Sequence, residues 1–516
     1  MAKSQTEVKE VAKPSREMST DQKRQVALAE RLIEFMAAEE AVTTKHKDVK
    51  VVRDGKQIIL PESMSYKEAI LWIRRQEEAE EKNVAIHATI DCFPLDGIIA
   101  FKRALEEIYG YAAYADTPGF FGTKNPPVMI QVELYDGSIE TAPYGRIQPP
   151  MYEGGFMNCG FDTMKLIISG EVKQKFEKEV KLVIDKTKEL LASRSIYRGT
   201  SFIINLDWME KVENGSGSFH PVNHAPKFMD VSDVNENGLI LRRDTLMELE
   251  SNIFLLIENS DDCRKNNIPL KHGCLFVGKF GTGKTLSARV IASKAVRNKW
   301  TFIYLKTPDR IAHALKMAEM YAPAVVFTED IDDVVNGERD AGLNMILNTL
   351  DGVDTKDKPI ITILTTNNAE SINPAMVRPG RIDTIIRFAE PDAEAAFRFV
   401  LMYAKDDDEK KLIGEFTDDE KKQVGEALAG FVPAFIAEAV QKAKRFAIRR
   451  HGSDITGMVT AQDLLDAATG LKSHQAMVEA KQPVSEESLA AAGFSKAVEF
   501  AMKPLKEDVQ YIKDNF

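Results

Sequence analysis

Gly278-Lys279-Phe280-Gly281-Thr282-Gly283-Lys284-Thr285 stands between the apolar run Cys274-Leu275-Phe276-Val277 and the helical pattern that starts at Leu286. Its glycines let successive backbone N–H groups turn inward around a polyphosphate, Lys284 brings a point charge to the outer phosphates, and Thr285 offers a hydroxyl to Mg²⁺. Flanked by strand and helix, this is a phosphate-binding loop rather than a plain glycine turn. Gly278, Gly281, Thr282, Gly283, Lys284, Thr285 and Leu286 are its candidate contacts. Such a loop does not by itself separate a kinase from a GTPase or a motor.

Later residues narrow the chemistry. Ala324-Val325-Val326-Phe327-Thr328-Glu329-Asp330 places adjacent carboxylates at the end of an apolar strand, where one can hold hydrated Mg²⁺ and the other polarise an attacking water. Asn367 follows Ile363-Leu364-Thr365-Thr366 at the end of another strand, where its amide can orient that water. Arg378-Pro379-Gly380-Arg381 then holds two permanently charged guanidinium forks on a stiff turn, a geometry suited to a γ-phosphate.

With these motifs in this order, residues 227–475 resemble the AAA+ ATPases, in the branch of the FtsH, Cdc48 and BCS1-like proteins. The N-terminal part is only weakly similar to uncharacterised bacterial or bacteriophage ATPases. The resemblance implies ATP and Mg²⁺ as cofactors and hydrolysis by in-line attack of water. It also implies Arg378 and Arg381 as arginine fingers acting on a neighbouring subunit's ATP, hence a homo-oligomeric, hexameric ring. Glu329 then assists the metal with Thr285, Asp330 is the candidate base and Asn367 positions water. Two departures stand out. The usual order of the acidic pair is Asp then Glu, whereas here Glu329 precedes Asp330. No HExxH follows the last motif, so FtsH-type zinc protease chemistry is not expected.

Around these residues the chain must supply a scaffold. Apolar runs at Cys274–Val277, Phe302–Leu305, Ala324–Phe327, Ile360–Thr365 and Thr384–Phe388 alternate with helical patterns, which predicts an α/β module with a five-stranded parallel sheet covered on both faces. Residues 227–405 are expected to form this ATPase core and 406–475 a helical lid begun in part by Pro433. Upstream, residues 25–206 are expected to form an α+β N-terminal domain. It includes a hairpin turning at Asp54-Gly55, a helix after the Ser65/Glu68 capping box, a helix from Leu95 to Tyr109 stopping at Gly110, and a helix from Glu171 to Ala192. Residues 1–24 read as a disordered tail, 207–226 as a linker and 476–516 as a C-terminal tail.

The net charge of −11 disfavours a general nucleic-acid sleeve, although Lys442, Lys444, Arg445, Arg449 and Arg450 cluster on one lid helix. Four cysteines with no CxxC pair suit a reducing cytoplasm and provide no metal site. No stretch approaches the roughly 20 apolar residues of a membrane span, so a cytoplasmic protein without a membrane partner is expected. The expected function is an ATP-hydrolysing ring that remodels or disassembles a protein or macromolecular complex engaged through the N-terminal domain. The alternatives are a slowly hydrolysing ATP-gated scaffold and a DNA-processing loader. Ring translocases of this branch carry an aromatic pore loop after the second strand. Here Phe302–Leu305 runs almost directly into a helix, and Tyr321, expected to pack, is the only aromatic before the third strand, so aromatic threading is not expected.

Overall fold

The structure, a computed structural model, describes residues 48–53, 56–61, 66–110, 117–118, 124–125, 128–147, 155–213, 221–331, 358–368, 381–405, 411–452 and 454–480. The chain forms two compact units. The smaller comprises residues 1–86, 150–156 and 170–181, and the larger comprises 87–149, 157–169 and 182–516. In the smaller, β1 (Asp48–Arg53) and β2 (Lys56–Pro61) pair antiparallel with Arg53 opposite Lys56, which is the hairpin expected at Asp54-Gly55. Helix α1 (Tyr66–Glu80) follows, as the Ser65/Glu68 pattern predicts. In the sequence Leu28, Leu32 and Phe35 recur at the spacing of a helix, but these residues lie outside the described ones.

Next come β3 (Asn83–Asp91), α2 (Pro94–Tyr109), β4 (Val128–Glu133), β5 (Ile139–Ile147), β6 (Phe156–Asp162), β7 (Lys165–Lys173) and α3 (Glu177–Ser193). The strands form one sheet in the order β3-β7-β6-β5-β4. Pro94 starts α2, where its missing N–H costs nothing, and the helix buries Leu95, Ile98, Phe101 and Leu105 before ending at Gly110. Each of these side chains contributes roughly 1.5–3 kcal/mol by burial. Helix α3 starts at Glu177, six positions later than the sequence pattern predicts. Val172 is instead a buried residue of β7, whose alternation with Leu166 and Ile168 places all three on the covered face.

The nucleotide-binding sheet contains β8 (Ser201–Ile204), β9 (Lys227–Phe228), β10 (His272–Val277), β11 (Thr301–Leu305), β12 (Ala324–Thr328), β13 (Ile360–Thr366) and β14 (Thr384–Arg387). Its order is β9-β8-β11-β12-β13-β10-β14. The five strands read from the sequence are present and mutually parallel, and two more extend them. One of these, β8, comes from the segment assigned by sequence to the N-terminal domain and pairs in parallel with β11, while β9 runs antiparallel along its outer side. Every residue of β12 and β13 is buried, as a sheet covered on both faces requires. Helix α4 (Lys284–Arg297) connects β10 to β11, and α5 (Ile311–Met320) connects β11 to β12.

Helices α6 (Ala393–Tyr403), α7 (Asp418–Leu428), α8 (Pro433–His451) and α9 (Ala461–Ala480) pack together. The helical group therefore starts before and ends after the 406–475 expected for the lid, α6 coming from the stretch read as ATPase core. The group has a core of its own built from Phe399, Val424, Leu428, Ile436, Val440 and Leu464. Helix α7 starts in a reciprocal capping box, Thr417 with Glu420, and α8 starts at Pro433 as predicted. The basic residues on α8 are partly committed within the fold: Arg450 forks onto Asp463 and Arg445 pairs with Glu438 at 2.7 Å. Among the described residues no helix is long and apolar enough to cross a membrane.

Candidate active site

The phosphate-binding loop leaves the C-terminal end of β10 and enters α4 at Lys284. Its turn depends on left-handed backbone at Gly281 (φ 78°) and Gly283 (φ 104°), which side-chain-bearing residues rarely adopt. Thr282 and Lys284 are buried. The Lys284 ammonium donates to the Gly278 carbonyl at 2.5 Å, to the Lys279 carbonyl at 3.1 Å and to Asn367 Oδ1 at 2.8 Å. The amide of Asn367 in turn donates from Nδ2 to Asp330 Oδ1 at 2.6 Å. Residues from three segments, the loop after β10 and the ends of β12 and β13, are thus joined in one chain of hydrogen bonds.

A second chain runs beside it. The Thr285 hydroxyl donates to Glu329 Oε1, and Tyr304, on β11, donates to Glu329 Oε2 at 2.5 Å. The two neighbouring carboxylates therefore face different partners. Asp330 is turned away from Glu329 by a left-handed backbone (φ 51°), held as its own N–H donates to Thr365 Oγ1 at 3.2 Å. Burial and the hydrogen bond to Glu329 push the Tyr304 phenol above its ordinary value, so it remains a donor.

These groups line a cavity of about 420 Å³, within the range of nucleotide-sized pockets. Phe280, Gly281, Thr282, Gly283, Lys284, Thr285 and Leu286 form its loop side, and Glu329, Asp330 and Asn367 its strand side. The opposite wall was not read from the sequence. It consists of Gly238, Leu239 and Ile240, together with Phe399, Met402 and Tyr403 of α6 and Pro433 of α8. This wall is largely apolar, so the cavity has one polar, cationic end and one end suited to a flat heteroaromatic ring. Only the short apolar run at Leu239-Ile240-Leu241 offered a local signal. The lid residues are brought in by tertiary packing.

A hydroxyl and a carboxylate meeting at Thr285 and Glu329 supply hard oxygen donors of the kind Mg²⁺ takes alongside phosphate and water. The residues present fit that ion. Arg381 is not brought to this cavity. Its backbone carbonyl closes against Gly273, where a Cβ would collide with it, at the start of β10, and the phosphate loop leaves the other end of that strand. Five strand residues at about 3.3 Å each put the two about 16 Å apart. Arg378 lies outside the described residues.

A parallel sheet with a lysine-bearing loop at a strand end, a helix beginning on that loop, and acidic and amide side chains on neighbouring strand ends define a P-loop nucleotide-binding module. Residues 274–390 match the family described as ATPase family associated with various cellular activities (AAA), and this stretch is an AAA ATPase domain. The chain is 28% identical over 264 residues to ATP-dependent zinc metalloprotease FtsH 1 of Petrotoga mobilis, covering 47% of this chain and 38% of the relative. It is 32% identical over 166 residues to the 26S proteasome regulatory subunit 4 homolog of Encephalitozoon cuniculi, covering 29% and 39%. To the 26S proteasome regulatory subunit 8 homolog B of Arabidopsis thaliana it is 26% identical over 263 residues, covering 47% and 60%. The chain thus spans between 38% and 60% of the length of these relatives, less than two thirds of each.

Proposed function

We propose that this chain is an ATP-hydrolysing subunit of a homo-oligomeric ring, six-membered by its likeness to AAA proteins, that remodels a protein or macromolecular complex engaged through residues 25–206. One observation carries the reading: the bond chain Lys284–Asn367–Asp330 and the pair Thr285–Glu329 converge on one cavity. Lys284 and the loop N–H groups hold the phosphates, and Thr285 with Glu329 would hold Mg²⁺, which when bound would supply positive charge beside the transferred phosphoryl group. Asp330 accepts the proton of the attacking water. Asn367, already bonded to Asp330, orients that water and keeps the carboxylate facing it.

The distance between Arg381 and the loop of its own chain supports its action on the next subunit's nucleotide. Between subunits, Arg378 and Arg381 would then stabilise charge developing on the γ-phosphate. The scaffold alternative draws on Asp330, whose shorter carboxylate on a left-handed backbone fits slow turnover.

Steady-state ATPase measured across protein concentration, with Asp330→Asn as the trapped form, tests the reading. Turnover that rises as subunits assemble and disappears in Asp330→Asn supports it. Assembly with ATP but without turnover in the unmodified chain overturns it in favour of the scaffold. Pull-down with the Asp330→Asn ring then identifies the engaged partner.

A further inference from the structure

Besides Thr285 of the phosphate loop, Glu329 has a donor that comes from outside both that loop and its own strand. Tyr304 lies on β11 opposite Phe327 of β12 in parallel register, and the two rings meet edge-on with centroids 5.3 Å apart. That contact fixes the phenol at the end of the sheet, where it donates to Glu329 Oε2 at 2.5 Å. The other oxygen, Oε1, accepts from the Thr285 hydroxyl. Both oxygens of one carboxylate are therefore held, by donors on two different elements.

We infer that Tyr304 is a positioning residue for Glu329, fixing the outer oxygen of this carboxylate so that the inner one stays with Thr285 on the metal side. The inference rests on the metal-side role proposed for Glu329. A glutamate at this place carries one more methylene and one more rotatable bond than an aspartate, and left free it would lose its orientation to side-chain entropy. A phenol held by ring packing supplies a directional hydrogen bond to an ionised acceptor with little entropy of its own to lose. The longer acid and the tyrosine are matched. An aspartate at 329 would fall short of one of the two donors, so tyrosine at 304 and glutamate at 329 act as a unit.

The test is a Mg²⁺ titration of nucleotide binding by the full chain, using a fluorescent ATP analogue, with the affinity in EDTA measured separately. Tyr304→Phe keeps the ring against Phe327 and removes only the hydroxyl. It is expected to raise the Mg²⁺ midpoint roughly tenfold, in line with loss of a hydrogen bond to a charged group, and to leave the affinity in EDTA unchanged. In a Glu329→Asp background the same change should add less than about twofold, because the shorter acid no longer spans both donors. An unchanged midpoint in Tyr304→Phe, while Glu329→Gln raises it, overturns the inference and leaves the metal-side role standing. Equal effects of Tyr304→Phe in both backgrounds also overturn it, since the hydroxyl would then act through packing. If Glu329→Gln itself leaves the midpoint unchanged, the metal-side role fails, and the inference fails with it.

Discussion

The hydroxyl of Tyr321 accepts the backbone N–H of Phe93 at 3.0 Å, tying the start of α2 to the residue that ends α5 in the nucleotide-binding sheet. The same hydroxyl hydrogen-bonds Asp96, whose carboxylate also accepts from Ser195 Oγ at 2.6 Å and from the Ile196 N–H at 2.9 Å. Beside it, Arg198 grips the Met320 and Ala322 carbonyls at 2.6 and 2.5 Å. Tyr321 is buried, as the sequence suggested, but its role is more than packing. It fastens residues 93–96 to the helix between the second and third core strands.

Burial raises the Asp96 carboxyl to about 6, against the hydrogen bonds from Ser195, Ile196 and Tyr321 that lower it. Because the folded value lies above the unfolded one, the folded chain binds more protons between pH 4 and 6. Stability from this group is therefore full at low pH and falls as pH rises through that window, by about 3 kcal/mol in all. Asp96→Asn cannot titrate. The difference in unfolding free energy between Asp96→Asn and the unmodified chain, followed by urea denaturation, should shift toward the variant between pH 4 and 7. A difference that stays flat with pH contradicts the assignment.

Lys284 should be required for nucleotide but not for folding. Its ammonium bonds to acceptors in or beside the loop, Gly278, Lys279 and Asn367, so Lys284→Ala is expected to lose at least about tenfold in ATP affinity with little change in melting temperature. Unchanged affinity by calorimetry would refute its place on the phosphates.

What the sequence made legible followed the range of the interactions. The loop from Gly278 to Thr285, the strand ends carrying Glu329, Asp330 and Asn367, and the stop of α2 at Gly110 are all encoded by neighbours in the chain. Tyr304 was not legible, because its relation to Glu329 passes through the parallel register of two strands separated by a whole helix. The apolar wall at Phe399, Met402 and Tyr403 was hidden for a similar reason, as those residues look like any amphipathic lid helix until the lid is docked. Val172 misled because Val172, Phe176 and Val180 are spaced like a helix even though the first is on a strand. Strand β8 escaped assignment to the ATPase sheet because nothing local tells a strand which sheet it will join.

The arginines make a prediction that one chain alone cannot satisfy. Arg378→Ala and Arg381→Ala should each bind ATP nearly normally yet hydrolyse it at least about a hundredfold more slowly, by the size of arginine-finger effects. Mixing Arg378→Ala with Lys284→Ala should restore part of the turnover, since one subunit brings an intact loop and the other intact fingers. Rings shown to be mixed but still inactive would rule out action between subunits.

Between β11 and the short 3₁₀ turn Pro308–Arg310 stand only Lys306 and Thr307, and α5 follows at once. Ile311, Leu315 and Ala318 on that helix are buried, and so is Tyr321, the one aromatic side chain between β11 and β12. A side chain that is 2% exposed and bonded at its hydroxyl to Phe93 cannot grip a passing polypeptide. If α5 moves with the nucleotide as the proposed function requires, the same bond would carry that motion by another route, a rigid-body displacement of the segment fastened to it. A tagged unstructured polypeptide offered with ATP should therefore not be threaded, although the ATPase runs. Tyr321→Phe, which loses the Phe93 and Asp96 bonds but keeps the ring, should leave basal hydrolysis within about twofold while weakening whatever remodelling the ring performs. Processive unfolding of the polypeptide that disappears when Lys306 to Arg310 are replaced would show instead that this short charged turn is a working pore loop.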